Sequence, residues 1–241
     1  MIERYSLTSL DDIPALFGTA APAGPPRFNI APLQIAPVCT AQGLALARWG
    51  ILPPWFGHGG KRGPHIRHAP ADPVDPTGGS AHRLSPLDQV PVLRNAFKNQ
   101  RCLVIADGFY LWWRAGKKAQ PMWLHPVPER SRLDARTRTF AFAGVVATHR
   151  DDGQPGFAIF VGAASPLIAP YDATMPVVIP PDSYTTWLTG PRDRARELLT
   201  AALAGPTGWR AEPVSTWVNS VDHDDARCIE PLGNPAQGEL F

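Results

Sequence analysis

The sequence predicts a single α+β domain in which short strands outnumber helices. Three observations point there. The chain carries 28 prolines and 21 glycines in 241 residues, and its proline share is more than twice the usual value of about 5%. Short runs of apolar and alternating residues dominate after Arg101. Only three short segments, one near the start and two in the last third, read as helices with start or stop signals. A chain of this length buries a full core without staples, and neither an internal repeat nor a domain boundary is visible.

Taken in order, Ser9–Phe17 is the first helix. Ser9 is the expected cap, Asp12 completes a capping box, and Leu10, Ile13, Leu16 and Phe17 form one apolar face that Gly18 closes. Residues 19–27 are a Pro/Gly/Ala loop. RFNIAPLQIAPVCT alternates like a strand but is broken at Pro32 and Pro37, and Leu44–Trp49 is a strand running into the turn GILPPWF. Residues 57–80 lose all periodicity and read as a long flexible loop. RCLVIADGFYLWW and PMWLH form a hairpin around Gly116. TFAFAGVVATH and GFAIFVGAA pair around Asp152–Gly153. PDSYTTWL is a short helix capped by Asp182. Arg192–Ala204 is a clearer one, with Pro191 at its start, Leu198, Leu199 and Leu203 inward and Gly205 after it. PVSTWVNSV is a final strand and turn, and the tail after Leu232 frays.

Composition excludes several classes. Hydrophobic residues make up 44% and charged residues 18%, with a formal net charge of +2, so nucleic-acid binding is neither demanded nor excluded. Cys39, Cys102 and Cys228 are far apart and odd in number, which argues against a disulfide framework or a zinc cage. The start MIERYSLTSLDD lacks a signal-peptide core, and no apolar run reaches the roughly 18 residues of a membrane span. The expected location is the cytoplasm, with no membrane association. His58, His65, His68 and His82 crowd residues 57–82, but Pro64 and Pro70 argue against the helix that His65 and His68 would need to share a metal. No metal or other cofactor is expected. Lys61, Arg62 and Arg67 either touch phosphates or belong to a solvated loop without a role. No HExxH or nucleophile-elbow motif appears.

Six segments, in order, resemble one family. RFNIAP resembles its RYNxAP, RWGILPPWF its WGLIPxW, and QRCLVIADGFYLWW its RRCLIPADGFYEW. FAFAGVVATHRDDGQP matches the next strand and turn, YDATMPVVIPPDSYTTWL its HxRMPVILPPEDYxxWL, and VSTWVNSVDHDDARCIEPL its closing VSxxVN…ELIEPL. On these residues the chain resembles the SRAP family (SOS-response-associated peptidase, or abasic-site processing). The resemblance implies one SRAP-like domain over residues 1–232. Its core would be a mixed, mainly antiparallel, barrel-like sheet flanked by short helices, with 57–80 as an insertion and 233–241 as a tail. It also implies DNA-damage chemistry. Family members expose a Cys after methionine removal, whose amine and thiol trap the aldehyde of an abasic sugar in single-stranded DNA as a five-membered ring. An Asn, a Glu and a His hold the sugar and move protons.

Here the chemical positions differ. Ile2 stands for the nucleophile, and so large a second residue disfavours removal of Met1. Leu111 stands for the Glu, Asp172 for the His, and Thr174 for the Arg of HxRMP. The NAR triplet falls on Ala81-His82-Arg83 by gapless counting, with Arg67-His68-Ala69 as the alternative. Replacement at four positions together, now Ile2, Ala81, Leu111 and Asp172, points to a pseudoenzyme, because such groups act as a unit. The binding framework is better kept. Arg4 and Arg83 either contact phosphate or form structural ion pairs. Trp55 and Phe56 either stack on bases or fill the core. Asn29 and Pro32 either line a DNA groove or shape a turn. Asp107 and Gly108 are assigned to a tight turn. The expected partner is single-stranded DNA, possibly abasic, bound by a monomer. Two alternatives stand beside this. The Met1 amine could form a Schiff base, with Asp172 or His82 moving protons. Or the fold is reused for protein contacts, with Leu111 making the site more apolar.

Overall fold

The computed structural model describes residues 1–53, 65–71, 87–116, 118–127, 138–148 and 153–232. Its strands are β1 (Arg4–Leu7), β2 (Arg27–Ile30), β3 (Ile35–Thr40), β4 (Gly43–Trp49), β5 (His68–Pro70), β6 (Arg101–Ala106), β7 (Gly108–Ala115), β8 (Lys118–Pro126), β9 (Phe140–Thr148), β10 (Pro155–Ala163), β11 (Thr174–Pro176), β12 (Val178–Ile179) and β13 (Trp209–Pro213). Its helices are α1 (Ile13–Phe17), α2 (Pro91–Asn99), α3 (Tyr184–Thr189) and α4 (Arg192–Ala202). Short 3-10 turns flank several of them.

The apolar runs build a closed ring. β3 pairs with β4, β4 with β10, β10 with β9, β9 with β6, and β6 returns to β3. All of these pairs are antiparallel except β4–β10, which is parallel. Closure leaves the ring without free edges along the paired stretches. Strand β6 is buried along its whole length, because one face looks into the ring and α2 and α3 cover it from outside. That is why RCLVIA reads as an unbroken apolar run rather than an alternating one. The second half of β10 carries β5 in parallel and β11 antiparallel.

A second, wholly antiparallel sheet runs β13-β8-β7-β1-β2. Here the sequence alternation is legible. Phe109 and Leu111 of β7 enter the main core, whereas Tyr110 joins Trp123, Val214, Val218 and Cys228 in a smaller core on the opposite face. The chain passes from ring to second sheet at Asp107, between β6 and β7. The Asp107 carboxylate is fully buried. It accepts from Ser6 Oγ at 2.6 Å, from the Thr8 amide and hydroxyl at 2.5 Å each, and from the Ser9 amide at 2.9 Å. Gly108 is needed for space: a Cβ there would lie 2.1 Å from Trp123 Nε1.

The fold class and barrel-like core match the expectation from sequence, as do the β9–β10 pair and, in part, the Gly116 hairpin, whose first arm is GFYLWW alone because RCLVIA joins the ring as β6. Four local readings change. Pro37 does not break its strand: it pairs with Leu46 on β4, and the β6 ladder begins one residue later, at Val38, where an amide is available. The 57–80 stretch is not all loop, because residues 65–71 are ordered by a bridge from Ile66 to Ile51 and by β5. Ser9 and Asp182 make no side-chain cap bonds. Ser9 instead gives its amide to Asp107, and Asp182 sits in the 3-10 turn before α3, accepting from Ser183 Oγ at 3.1 Å. Helix α4 stops at Ala202, with Leu199 buried and Leu198 and Leu203 only partly so. The expected tail, 233–241, lies outside the described residues.

Replacing Gly108 by alanine drives a methyl into the Trp123 indole, and overpacking of this kind costs about 1–3 kcal/mol. Gly108→Ala should lower the denaturant midpoint accordingly without changing the slope of the transition. An unchanged midpoint would mean that Trp123 moves aside freely.

Candidate functional site

Residues from both sheets converge on the start of the chain. The Met1 α-ammonium donates to Asp172 Oδ2, forming an ion pair in a half-buried setting. Asp172 lies in the connection between β10 and β11, and its other oxygen accepts from the Thr174 amide and hydroxyl, each at 2.9 Å. Thr174 thus serves to orient the carboxylate. Burial pushes the Asp172 carboxyl up, but the bonds from the Met1 amine and Thr174 outweigh it and hold the group below the ordinary aspartate range.

One residue on, Ile2 is fully buried in the main core. Its carbonyl accepts a hydrogen bond from His68 Nε2 at 2.8 Å. His68 stands on β5, nearly buried, with its ring edge-on to Trp49. Burial pushes its imidazole down to about 3, only partly opposed by the bond to Ile2. It is therefore neutral, and it serves to fix the position of the N-terminal residues rather than to carry charge.

Glu3 and Arg4 lead into β1. Arg4 is half-buried. Its NH1 donates to the Glu3 carbonyl at 2.8 Å, while its Nε is buried without a partner. Burial lowers its pKa first; Glu3 opposes that and the charge of Arg67 adds to it. Leu111 lies on β7 one residue past the Arg4–Tyr110 pair, and it is buried in the core. It contributes no exposed apolar surface, which removes the sequence argument for a greasy contact face there.

The other expected site residues are distributed differently. Asn29 is fully buried. Its Nδ2 donates to the carbonyls of Val218 at 3.1 Å and of Ser220 and His223 at 2.8 Å. Its amide bonds Asp224 Oδ1, also at 2.8 Å. Asn29 thus spends its donors binding the C-terminal segment to β2, which accords with the structural alternative of the two roles read from sequence. Pro32 is half-exposed beside Leu33, which has φ 71° and is 51% exposed. A leucine in left-handed backbone costs about 1–3 kcal/mol and marks a position held by its surroundings. Those surroundings are the Leu33 amide bond to the Trp49 carbonyl at 2.8 Å and the return bond from the Trp49 amide to the Gln34 carbonyl at 2.9 Å. Ile35 and Leu46, both exposed, continue an apolar strip on one face of the β3–β4 hairpin. Trp55, Phe56, Ala81, His82 and Arg83 lie outside the described residues.

Counting along the sequence favours the triplet at 81–83 over that at 67–69. Residues 81–83 lie outside the described residues; at the alternative placement, Arg67 and His68 stand beside Glu3 and Ile2. His68 opens a short strand, His68–Pro70, hidden in the sequence by Pro70. All three cysteines are buried, and burial raises each thiol pKa, so none supplies a reactive thiolate to this site. Among the described residues, no cluster of His, Cys, Asp or Glu could hold a metal. No described helix is long and apolar enough to cross a membrane.

A family model described as SOS response associated peptidase (SRAP) matches residues 1–221. The chain is 28% identical over 244 residues to the abasic site processing protein YoqW of Bacillus subtilis, covering 95% of this chain and 99% of that one. It is 27% identical over 201 residues to the abasic site processing protein HMCES of Gallus gallus, covering 77% of this chain and 56% of the relative. Among solved structures, a protein from Bacteroides thetaiotaomicron superposes with a TM-score of 0.75 at 16% identity, over 95% of this chain and 99% of that chain. A phage-related protein of Bordetella bronchiseptica gives 0.61 at 27% identity, over 88% and 93%.

Two acid-sensitive groups meet at the chain start, in different pH windows. His68 is neutral when folded and titrates near 6.5 when unfolded. The unfolded state therefore takes up the proton first, and stability falls as pH drops from about 6.5 toward about 3. Asp172 has a lowered folded pKa. Its contribution is complete above the unfolded value of about 3.9 and is lost as pH falls through the folded one. Denaturant titrations from pH 7 to 3 should show His68→Gln flattening the slope between about 6.5 and 4, and Asp172→Asn flattening only the part below about 4. Identical pH profiles for all three proteins would contradict this assignment.

Proposed function

The chain belongs to the SRAP family, and from that premise we propose that it binds single-stranded DNA, at abasic or junction sites, without sealing a covalent crosslink. The observation that carries this reading is the state of the chain start. Closing a ring on a sugar aldehyde needs an amine and a thiol on neighbouring atoms. Here Ile2 offers an apolar side chain buried in the core, and the Met1 amine is bonded to Asp172. Leu111, also buried, brings neither acid nor base.

The binding half of the reading draws on Arg4 and on the exposed face around Pro32. A guanidinium suits phosphate oxygens, and the half-buried Arg4 has one hydrogen bond among the described residues, from NH1 to the Glu3 carbonyl. The exposed Leu33, Ile35 and Leu46 supply apolar surface near Pro32, a surface on which unstacked bases can rest. DNA-damage response is the setting that the relatives' printed activity, abasic site processing, suggests for this chain.

A second reading has one observation in its favour: a primary amine stands among half-buried groups. Addition of the Met1 amine to an aldehyde would form an imine and release water. The amine must first lose a proton, and Asp172, held below the ordinary aspartate range, is a weak acceptor for it. Binding without chemistry therefore stands first.

Fluorescence anisotropy with a single-stranded oligonucleotide should show affinity that falls as salt rises, by about 0.7 in the logarithmic slope for each phosphate contact. Arg4→Ala should reduce that slope by one contact's worth. Intact mass should show Met1 retained, and borohydride on an abasic strand should leave no covalent band. Absence of salt-sensitive binding ends the binding reading; a durable adduct formed without reductant ends the claim that crosslinking is lost.

A further inference from the structure

We propose that the outer edge of β13 is a docking edge for an extended strand, and that its occupant is this chain's own segment, residues 233–236. The sequence suggests a tail that frays after Leu232; the backbone bonds around Leu232 favour a tail that continues along the sheet.

Strand β13 ends the five-stranded sheet, with β8 on its inner side. The Val127 amide donates to the Gly208 carbonyl at 2.9 Å, and the Val214 amide to the Pro121 carbonyl at 3.1 Å. Bonded pairs in an antiparallel ladder recur at every second residue. Gly208, Arg210, Glu212 and Val214 therefore turn their backbone groups toward β8, and Trp209, Ala211 and Pro213 turn theirs outward. Among the described residues, the outward N–H and C=O groups of Trp209 and Ala211 meet no partner. Both residues are half-buried, where an unpaired backbone group is costly. An open strand edge also templates pairing with other chains.

The same edge is occupied at one end. The Leu232 amide donates to the outward Pro213 carbonyl at 3.0 Å, and the Ser215 amide to the Glu230 carbonyl at 3.3 Å. Between them Val214 and Pro231 form an antiparallel bridge. Continued in that register, the chain sets Gly233 opposite Glu212, Asn234 opposite Ala211, Pro235 opposite Arg210 and Ala236 opposite Trp209. Asn234 and Ala236 each bring an N–H and a C=O to an open position. Pro231 and Pro235 fall opposite Val214 and Arg210, where the incoming N–H faces away from β13, so the missing donor costs no ladder bond. The prolines thus stand where the ladder tolerates them, and the residues that must donate, Leu232, Asn234 and Ala236, are not prolines. At about 3.4 Å per residue the segment spans the open stretch. It is tethered beside the edge by Leu232, whereas a strand from a second copy would have to be brought in from solution, at a cost in translational freedom.

Amide hydrogen exchange, read by NMR on the full chain, tests this. The Trp209 and Ala211 amides should exchange about ten-fold more slowly than in Asn234→Pro, which removes the donor aimed at the Ala211 carbonyl. Arg210 and Glu212, which face β8, should keep their protection in that variant and so report an intact sheet. Pro235→Ala, at a position that faces away from the ladder, should leave all these amides unchanged. Trp209 and Ala211 amides that exchange freely in the wild type overturn the proposal, as does protection that survives Asn234→Pro. Protection that grows with protein concentration also overturns it, and assigns the edge to a second copy.

Discussion

The arrangement of the whole N-terminal region depends on one buried carboxylate. Asp107 sits where the chain leaves the ring for the second sheet, and it gathers donors from Ser6, Thr8 and Ser9. A buried charge is tolerated only when such bonds replace its lost water. Here they do more, because every donor belongs to the end of β1 or to the turn that follows it. The carboxylate therefore sets where β1 lies against β7, and the register Arg4–Tyr110, Tyr5–Phe109, Ser6–Gly108 follows. Once that register is set, residues 1–3 can go only toward β5 and the β10–β11 connection. Gly108 is the steric partner of this arrangement, since Trp123 occupies the space a side chain would take and gives its indole N–H to Ser6 Oγ at 3.1 Å.

What could be read from sequence divides along physical lines. Local turn chemistry was legible: Gly116 and Gly18 both adopt left-handed backbone where a turn and a helix end were expected. Apolar periodicity gave the strands that form the ring. The misreadings came where a distant partner decides local structure. Pro37 looks like a breaker until β6 is known to start pairing one residue later. β5 has only three residues and contains a proline, and it exists because β10 offers a parallel edge across about ninety residues of chain. Asp107 was read as a turn residue. It is that, but its bonds to residues about a hundred positions earlier could not be seen in the motif alone.

The candidate site shows the same division. Ile2, Leu111 and Asp172 could be named from motif spacing, as the residues that the resemblance sets at the family's chemical positions. That Asp172 would bind the Met1 amine across 171 residues, or that His68 would hold the Ile2 carbonyl, was not. Both contacts cross from one sheet to the other, and no periodicity encodes such a crossing. The bonds of Asn29 were hidden for a related reason. An Asn before a Pro-containing turn suits a groove, yet its buried Nδ2 is spent on three carbonyls of the C-terminal segment, while Oδ1 has no partner among the described residues.

The charge at the chain start then decides which chemistry the fold can support. A carboxylate that pairs with an ammonium stabilises the protonated amine and is itself harder to protonate. Asp172, held below the ordinary aspartate range, is a poor group to take up the proton that amine addition must release. Asp172 thus gives little help to nucleophilic use of Met1, even though the amine stands beside it. The same pairing removes Asp172 as a repulsive charge toward phosphate, because its negative charge is already matched. On the proposed reading, that paired carboxylate is compatible with holding an anionic strand and gives little help to a reaction with it.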